Sequence, residues 1–457
     1  MIANDILTLI NFDENEVDNY DLSQFTDEDT GKISSTLYVV LKKYDGNCPY
    51  CRSNNLYVKE KVTSKINHSL LSNRSLTLFV TKRRYLCRNC SKTFVQPLSI
   101  IKKGNRISNQ VKNNIVYDLF KMETLTAIAE RNNVSLMTVL RLLDDGIPYQ
   151  KTGNFEGVIC IDEFCFRHGN KANKYPAVIS NPFDTSIIDV IESRTKPYLE
   201  RYFSSIPITK LYSIKYFISD MWEPYRNIKQ RYFKNATHIV DLFHIVKAFN
   251  EVITRIRIKI LKEIISETDK KNKEYKFLKG NWKIFLMNRK RLEKIKKVSN
   301  LTGVVYPLID KVDACIKRYD ELNEVYWNRE EFIVGFKKVN YYKDAEFLVN
   351  FSINKFNGSL LPEVNELGRM FQNWKYEIIN AAVKTSYGMR MTNAIAESNN
   401  NTIQTYIDMC YGINNFERLR KRVLMLSRER KRKQWKTRTI MVPVSRIWPR
   451  SMFELFA

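Results

Sequence analysis

The chain has 457 residues, of which 44% are apolar, so it is long enough for two or three domains with cores of their own and is not a wholly disordered protein. Its 75 Lys and Arg residues against 49 Asp and Glu residues give a net charge of +26, which predicts polyanionic partners and salt-dependent binding. The chain contains neither an apolar run of about 18 residues nor a basic start followed by an apolar block, so we expect no membrane span and no signal peptide. We therefore expect a protein that stays in the cytoplasm or reaches a nucleus by a signal that the sequence does not reveal.

The first hundred residues divide into an acidic leader and a region of short strands. Residues 1–30 hold nine acidic residues and no Lys or Arg, and we predict that the leader, residues 1–35, is weakly ordered. Residues 36–100 carry short apolar and β-branched runs that are typical of strands. The predicted strands include Thr36–Lys42, Ser75–Thr81 and Arg84–Cys87.

Two cysteine pairs lie among these strands, Cys48 with Cys51 and Cys87 with Cys90. Each CxxC turn points two thiolates at one ion, and two such turns complete a tetrahedron, so the spacing predicts a zinc ribbon. Four thiolates leave no open position for water, so one Zn²⁺ would be structural here. The alternative is four free thiols in an ordinary small domain. The other cysteines are interpreted as core or neutral positions: Cys160, Cys165, Cys315 and Cys410.

Residues 106–145 are predicted to be helical, and the segment that begins at Thr124 has the pattern of a helix-turn-helix. Asn132 and Asn133 form the turn, and Ser135 caps a second helix that continues through Leu143. We predict that this second helix enters a groove of DNA. A plain helical hairpin would show the same pattern. The candidate DNA contacts are Ser135, Leu136, Met137, Thr138 and Arg141.

Residues 155–245 change to alternating strands and helices. Three strand-like runs come first, and helices and two further strands follow, which predicts a mixed sheet flanked by helices. Residues 250–390 are predicted to be mostly helical. The elements expected in the sheet region are the strands Gly157–Phe164, Tyr175–Asn181 and Ser186–Glu192, the helix Lys196–Ile206, the strand Ile214–Asp220, a helix from Trp222, the strand Thr237–Val240 and a long helix from Leu242.

Acidic residues lie at the ends of two of the apolar strands. Asp162 lies near the end of the first strand and Asp220 ends the fourth. Ligand sites in α/β sheets lie at such a rim, and a bound cation relieves the cost of an uncompensated carboxylate there. If the first and fourth strands are neighbours, Asp162 and Asp220 can hold Mg²⁺ or Mn²⁺ between them.

A third acid, Glu397, lies in a segment predicted to be a helix from Asn393 to Gln404. At 100° per residue, Glu397, Asn400 and Asn401 share one polar face of that helix. Three acids suit two divalent ions about 4 Å apart, which activate the attacking oxygen and stabilise the leaving one in an in-line displacement.

Simpler readings of the three acids stay open. Asp162 would then be an ordinary strand-end residue, Asp220 a helix N-cap, and Glu397 a solvated helix residue. Other acids also compete for a place in the site: Glu163, Asp189 and Glu192.

The order and combination of these motifs resemble the ISL3 group of bacterial insertion-sequence transposases, over roughly residues 45–430. The cysteine pairs and the helix-turn-helix match in place and kind. Two features are less usual for this group: the acidic leader, and the Ser398 and three Asn residues that come directly after Glu397. The further matching segments are Gly157–Phe164, Ser219–Trp222, Asp241–Lys247, Asn393–Asn400 and Tyr411–Val423.

The resemblance implies an α/β RNase H-like catalytic core with a helical insertion, preceded by a small zinc ribbon and a helix-turn-helix domain. It places the catalytic DDE triad, which binds two Mg²⁺ or Mn²⁺ ions, on Asp162, Asp220 and Glu397. The expected domains are the leader 1–35, zinc ribbon 36–100, helix-turn-helix 101–150, first part of the core 151–260, insertion 261–385, last part of the core 386–430 and basic tail 431–457.

Asp241 and His244 are candidates of second rank. They lie three apart at a helix start and so share a face. His244 would approach the scissile phosphate, and Asp241 would either join it or serve as a helix N-cap. The insertion carries basic clusters such as Asn288–Lys297 that suit either DNA backbone contacts or a solvated surface. No role is assigned to His68, His168 and His238.

The function expected from the resemblance is DNA transposition in a bacterial nucleoid. The ribbon and helix-turn-helix would bind terminal inverted repeats as a homodimer or larger assembly, and the core would cleave strands and transfer them to target DNA. Two alternatives are an RNase H-like nuclease without strand transfer and a DNA-binding regulator without catalysis.

Overall fold

The computed structural model describes residues 5–26, 28, 29, 31, 33–69, 75–102, 104–145, 155–166, 175–183, 185–267, 272–298, 305–410 and 413–440. His168, Tyr411 and residues 441–457, which include most of the predicted basic tail, lie outside these residues. The chain divides into two compact units, a terminal unit of Met1–Lys151 with Ile403–Ala457 and a central unit of Thr152–Thr402.

The terminal unit combines a five-stranded sheet with a group of helices. The sheet order is β1-β2-β4-β3, with β5 beside β4, and β2 and β4 are parallel. Its strands are β1 (Val17–Thr26), β2 (Ile33–Leu41), β3 (Leu56–Ser69), β4 (Ser75–Cys87) and β5 (Thr93–Val95). Its helices, numbered along the whole chain, are α1 (Asp5–Leu9), α2 (Asn109–Asp118), α3 (Leu125–Arg131), α4 (Leu136–Asp145) and α18 (Phe416–Ile440).

The prediction of a weakly ordered leader was wrong. Strand β1 pairs along its length with β2, and Leu7, Ile10 and Phe12 are buried against the inner face of the sheet. Most β1 side chains are exposed, so the acidic residues of this strand stay in water while its backbone is paired. A few apolar anchors therefore order a segment whose composition is mainly acidic.

The strand predictions for residues 36–100 were correct in kind but incomplete. The runs predicted at Ser75–Thr81 and Arg84–Cys87 form one continuous strand, β4, and the long edge strand β3 was not predicted. Strand β3 is mostly exposed, with Ile66 and His68 buried at its far end, so it lacks the regular alternation of a half-buried strand.

The helices predicted in residues 106–145 are confirmed. They enclose a small core to which Val111, Ile128, Val139 and Leu143 contribute, and Met425 of α18 packs into the same core. Helix α18 is fixed further by Arg422, a fully buried side chain that donates to the carbonyls of three residues and to the hydroxyl of Tyr406. The three carbonyls belong to Leu119, Lys121 and Glu123.

The central unit is a mixed five-stranded sheet with helices. The sheet order is β10-β9-β6-β7-β8, in which β6, β9 and β10 are parallel and β7 runs antiparallel to both β6 and β8. The strands are β6 (Gly157–Glu163), β7 (Ala177–Ser180), β8 (Ile187–Ile191), β9 (Ile214–Ser219) and β10 (Thr237–Val240), and a separate antiparallel pair is formed by β11 (Lys296–Val298) and β12 (Val305–Pro307).

The helices of the central unit begin beside this sheet and continue through the predicted insertion. The first are α5 (Lys196–Ser204), α6 (Ile208–Tyr212), α7 (Glu223–Tyr232) and α8 (Leu242–Glu267). The next are α9 (Lys273–Gly280), α10 (Trp282–Leu286), α11 (Arg289–Lys294), α12 (Leu308–Ile316), α13 (Asp320–Lys338), α14 (Tyr342–Asn357), α15 (Pro362–Asn373) and α16 (Lys375–Ala382). Helix α17 (Ala394–Met409) ends the central unit and continues into the terminal unit.

The predicted elements of the sheet region are confirmed, and so is the prediction that the first and fourth strands, β6 and β9, are neighbours. Strands β6, β7 and β8 are buried on both faces, which is why their sequences read as continuous apolar runs. Within the described residues, no helix combines the length and apolar character that crossing a membrane would require.

Candidate functional site

The four paired cysteines meet at one point. Their sulfur atoms all lie within 4.8 Å of one another, with Cys48 Sγ 3.7 Å from Cys90 Sγ and Cys51 Sγ 3.5 Å from Cys87 Sγ. Each CxxC turn ends in a residue with left-handed backbone, Arg52 at φ 61° and Ser91 at φ 55°. This geometry suits a tetrahedral site for one metal ion.

The surroundings act in opposite directions on two of these thiols: a backbone hydrogen bond with Ser53 acts to lower the pKa of Cys51, but burial and the neighbouring cysteines raise it to about 12. The backbone N–H groups of Cys90 and Asn89 hold the pKa of Cys87 at about 6, which favours the thiolate form that zinc binds. Among the described residues, no other three Cys, His, Asp or Glu side chains bring their ligand atoms this close together. The acidic residues of the central unit are therefore more widely spaced.

Three acids lie at one edge of the central sheet. Because β6, β9 and β10 are parallel neighbours, their carboxyl ends share an edge, and these ends carry Asp162, Asp220 and Asp241. Asp162 and Asp241 are buried, and Asp220 is partly buried. We refer to this arrangement as the carboxylate edge.

Burial and repulsion by neighbouring acids raise the pKa of two residues of the carboxylate edge, Asp162 and Asp220. Burial raises the pKa of Asp162 to about 7, and the charges of Glu163, Glu397 and Asp241 add to the effect. Burial also raises the pKa of Asp220 to about 7, with further contributions from Glu163 and Asp162. The positive charges of Arg194 and Lys247 offset the raised pKa of Asp220 only in part, and a bound divalent cation would supply further positive charge.

Helix α17 brings the third predicted acid to these strands. Burial and the charge of Asp241 raise the pKa of Glu397, so Glu397 lies within electrostatic range of the edge. One turn later, Asn400 donates from Nδ2 to Asp162 Oδ2 at 3.0 Å and to the carbonyl of Glu163 at 3.1 Å. The fully buried side chain of Asn399 donates to Ser180 Oγ at 3.0 Å and fastens the helix to β7.

Two oxygen atoms of this group are buried without a hydrogen-bond partner among the described residues, Oδ1 of Asp220 and Oδ1 of Asn400. A buried acceptor without a donor costs about 1–3 kcal/mol, more when it is charged. Both are hard oxygen donors, the kind that Mg²⁺ and Mn²⁺ prefer.

Two of the competing acids are already committed to other partners. Glu163 contacts the guanidinium of Arg194 and accepts a hydrogen bond from Tyr225 at 3.1 Å. Asp189 accepts from its neighbour's backbone N–H and from the Tyr202 hydroxyl at 2.9 Å. Glu163 thus has a cationic partner, whereas Asp162 accepts hydrogen bonds from the neutral Asn400 amide and the Glu163 backbone N–H, which makes Asp162 the better candidate for a metal ligand. Glu192, the third competitor, is partly buried.

Of the second-rank residues, Asp241 belongs to the carboxylate edge and His244 lies in the first turn of the helix that follows it. The Asp241 backbone N–H donates to the Ser219 carbonyl at 3.2 Å, and the His244 N–H donates to the Asp241 carbonyl at 3.1 Å in the first turn of α8. Burial lowers the pKa of His244, and the charge of Asp241 opposes that shift. His244 is therefore biased towards the neutral imidazole.

No role was predicted for His238, and the structure places it in a buried network behind Asp220. Its Nε2 lies 2.9 Å from Ser219 Oγ, and its Nδ1 lies 3.6 Å from Glu377. Glu377 in turn accepts from Arg226 Nε at 3.0 Å. This network joins helix α16 to the strand that precedes Asp220. Its residues are far apart in sequence and belong to no local motif, so no sequence signal pointed to it.

The two helices predicted as a helix-turn-helix are joined by a short turn. Thr124 caps α3 by accepting from Ala127 N–H at 3.0 Å, and Asn133 takes a left-handed φ of 49° in the turn. Ser135 Oγ accepts from Thr138 N–H at 3.3 Å at the start of α4. The five residues predicted to contact DNA lie on α4 or its first turn, and Leu136 and Met137 are exposed.

Comparison with known proteins gives the class of the chain and then its family. A family model described as "Transposase" matches residues 159–423, and a model described as "zinc-finger of transposase IS204/IS1001/IS1096/IS1165" matches residues 46–90. The first match spans more than half of the chain and is a model of the ISL3 group. The chain is therefore a transposase and belongs to the ISL3 family, as the sequence motifs indicated.

A curated relative agrees with this assignment. The chain is similar to the "Transposase for insertion sequence element IS1001" of Bordetella parapertussis, with 20% identity over 378 residues. The match covers 81% of this chain and 86% of that protein. The likeness thus extends over most of the length of both proteins.

Proposed function

We propose that this transposase cleaves DNA at the ends of its insertion sequence and transfers the freed strands to target DNA, using Asp162, Asp220 and Glu397. The observation that carries the proposal is the carboxylate edge, where acids from separate elements raise one another's pKa and Asp220 keeps a buried oxygen without a partner. Perturbed acids that converge at a sheet edge are typical of catalytic sites.

The topology of the central sheet supports an RNase H-like core. Three antiparallel strands, β8, β7 and β6, are extended by the parallel strands β9 and β10, and the acid-bearing strand β6 lies in the middle. The helical segment of residues 261–385 separates the second acid from the third, as the family resemblance implies. Helix α17 then returns Glu397 to the sheet.

The donor set of the edge fits Mg²⁺ or Mn²⁺. When bound, two such ions activate an attacking oxygen and stabilise a leaving oxygen of the phosphodiester. Asp162, Asp220 and Glu397 would hold them, and Asn400 orients the Asp162 carboxylate through its hydrogen bond. Arg194 and Tyr225 keep Glu163 turned to protein partners. Asp241 and His244 stay second-rank contributors near the scissile phosphate.

The terminal unit would recognise the DNA. Helix α4 would enter a groove of the terminal inverted repeats as the second helix of a helix-turn-helix, with Ser135, Leu136, Met137, Thr138 and Arg141 as its contacts. The four cysteines would hold one structural Zn²⁺. Two element ends must be held together for transposition, so we expect a dimer or larger assembly on DNA.

The test combines purified protein, Mg²⁺ or Mn²⁺ and labelled duplexes that end in the element's own repeats. Asp220→Asn and Glu397→Gln are compared with wild type and with the matched control Glu223→Gln, an exposed acid on α7. We expect cleavage and joined products from wild type and the control, and neither from the two site variants, although all four bind the duplex.

Two other outcomes would select another function. Metal-dependent cleavage without joined products in any reaction would favour a nuclease. Specific binding without cleavage, unchanged by Asp220→Asn, would favour a DNA-binding regulator.

A further inference from the structure

A continuous groove runs across the terminal unit between the β3–β4 edge of the sheet and the start of α4. It consists of two adjoining cavities of about 600 Å³ and about 730 Å³, which share Ser64, Lys82, Gly104 and Asn105 as lining residues. One cavity reaches Tyr50 in the first cysteine turn, and the other reaches Ser135 and Thr138 at the start of α4. We call this feature the ribbon groove.

The ribbon groove carries positive charge alone. Its lining includes no Asp or Glu within the described ranges, and its cations are Lys65, Lys82, Arg84, Lys102 and Arg106. Arg84 is paired with Glu60 on the neighbouring strand, so its charge is partly neutralised. Lys82, where the two cavities meet, has no ion-pair partner among the described residues, and burial lowers the pKa of its amine. An anion in the groove would restore the interactions that this ammonium lost with water.

Asn67 on β3 fixes the groove to the predicted recognition helix. Its backbone N–H donates to the Arg106 carbonyl at 2.9 Å, and its carbonyl accepts from Ser108 N–H at 3.0 Å. Its side-chain Nδ2 donates to the carbonyl of Asn133, in the turn before α4, at 2.5 Å. Hydrogen bonds from the single residue Asn67 therefore set the position of the groove cations relative to α4. This fixed spacing favours a single ligand that contacts both the groove and the helix.

We propose that the ribbon groove binds the sugar-phosphate backbone of the same duplex whose bases α4 contacts, with Lys82 and Arg106 as its principal phosphate contacts. This inference rests on the proposed DNA-binding role of α4. Contacts to phosphates fix the register of a protein on a DNA duplex without reading its sequence, whereas side chains that enter the major or minor groove of the DNA read the bases. The zinc-ribbon region would thus contact DNA directly as well as support the fold of the terminal unit.

The test measures duplex affinity of the full-length protein at several salt concentrations by fluorescence anisotropy. The probes are a duplex carrying the element's terminal repeat and a scrambled duplex of the same composition. The variants are Lys82→Gln and Arg106→Gln in the groove, with Lys82→Arg to retain the charge. The matched control is Lys59→Gln, an exposed lysine of β3 that does not line either cavity.

We expect each Gln variant to weaken binding to both duplexes by the same factor and to lower the slope of log affinity against log salt by about 1. Lys82→Arg and Lys59→Gln should keep the wild-type slope. Arg141→Ala should instead reduce the preference for the repeat over the scrambled duplex.

The groove proposal is overturned if wild type prefers the repeat but Lys82→Gln and Arg106→Gln match Lys59→Gln in affinity and slope. If wild type itself shows no preference for the repeat, the proposed function fails first, and the groove proposal falls with it. These two failures are distinguished by the wild-type measurement alone.

Discussion

Asn400 donates a hydrogen bond of 3.0 Å to the carboxylate of Asp162, although 238 positions separate the two residues in the sequence. The bond joins α17 to the end of β6 and fixes the turn of α17 that also carries Glu397. Because an amide Nδ2 only donates, the contact stabilises the ionised form of Asp162 at a place where burial disfavours it.

Removing this amide should slow catalysis without weakening DNA binding. We expect Asn400→Ala to reduce metal-dependent cleavage by about 10–100-fold, because partners that orient metal ligands typically matter to that extent. The concentration of Mg²⁺ at half-maximal rate should also rise. Asn401→Ala, which changes the exposed next residue of the same helix, is the matched control. Equal cleavage rates for the two variants would show that Asn400 does not orient Asp162.

The acids of the carboxylate edge should destabilise the fold when no divalent ion is bound. The folded-state pKa of Asp220 is raised to about 7 from an ordinary value of 3.8. The unfolded chain therefore releases this proton first as pH rises, and the stability penalty grows between about pH 4 and pH 7 and is complete above that range.

Thermal melting in Mg²⁺-free buffer tests this penalty. Asp220→Asn should melt at a higher temperature than wild type at pH 8, by about 2–4 °C for each kcal/mol of relief, and the difference should shrink towards pH 5. Added Mg²⁺ should stabilise wild type but not the variant. A variant that melts lower than wild type at pH 8 would mean that Asp220 stabilises the metal-free fold.

The cysteine site should couple metal binding to the fold of the ribbon. We expect Cys48→Ser to lose the zinc that wild type retains and to make the segment 36–100 sensitive to protease, because a small module of this kind depends on its ion. Cys165→Ser, outside the cluster, should keep both zinc content and resistance. Metal analysis with limited proteolysis measures both. A resistant, zinc-free Cys48→Ser protein would contradict the assignment.

Arg422 should be essential for the stability of the terminal unit. Replacing it with Met removes the guanidinium that donates to the carbonyls of Leu119, Lys121 and Glu123, the first of these bonds being buried and the other two half-buried. We expect this loss to cost about 3 kcal/mol or more. Chemical denaturation followed by circular dichroism measures the loss. Arg141→Met, which changes an exposed arginine of α4, should have little effect. If the two substitutions have equal effects, the buried network is not needed for stability.

Sequence reasoning succeeded where the physical signal is local. Strands β6 and β9 are apolar runs that end near an acid, and the CxxC turns have a spacing that few other structures share, so both could be predicted. The order of the leader could not, because three buried residues, Leu7, Ile10 and Phe12, outweigh its acidic composition.

The partners of the site residues were also beyond sequence reasoning. Asn400 was placed on the polar face of its helix, but its bond to Asp162 depends on how distant segments pack. The contacts of His238 with Ser219 and Glu377 have the same origin. The periodicity of apolar residues predicts which face of a helix or strand is buried, but it does not predict which distant residues that face contacts.

The attachment of α18 through Arg422 has a consequence for biosynthesis. A ribosome makes α2, α3 and α4 early and reaches Arg422 only after the whole central unit has been translated. The core that α18 completes with those helices stays open until then, so the central sheet can form on the nascent chain before the helical core of the terminal unit is complete. A truncated gene product that ends before Phe416 would then carry the acids of the carboxylate edge and lack the closed helical core of the terminal unit.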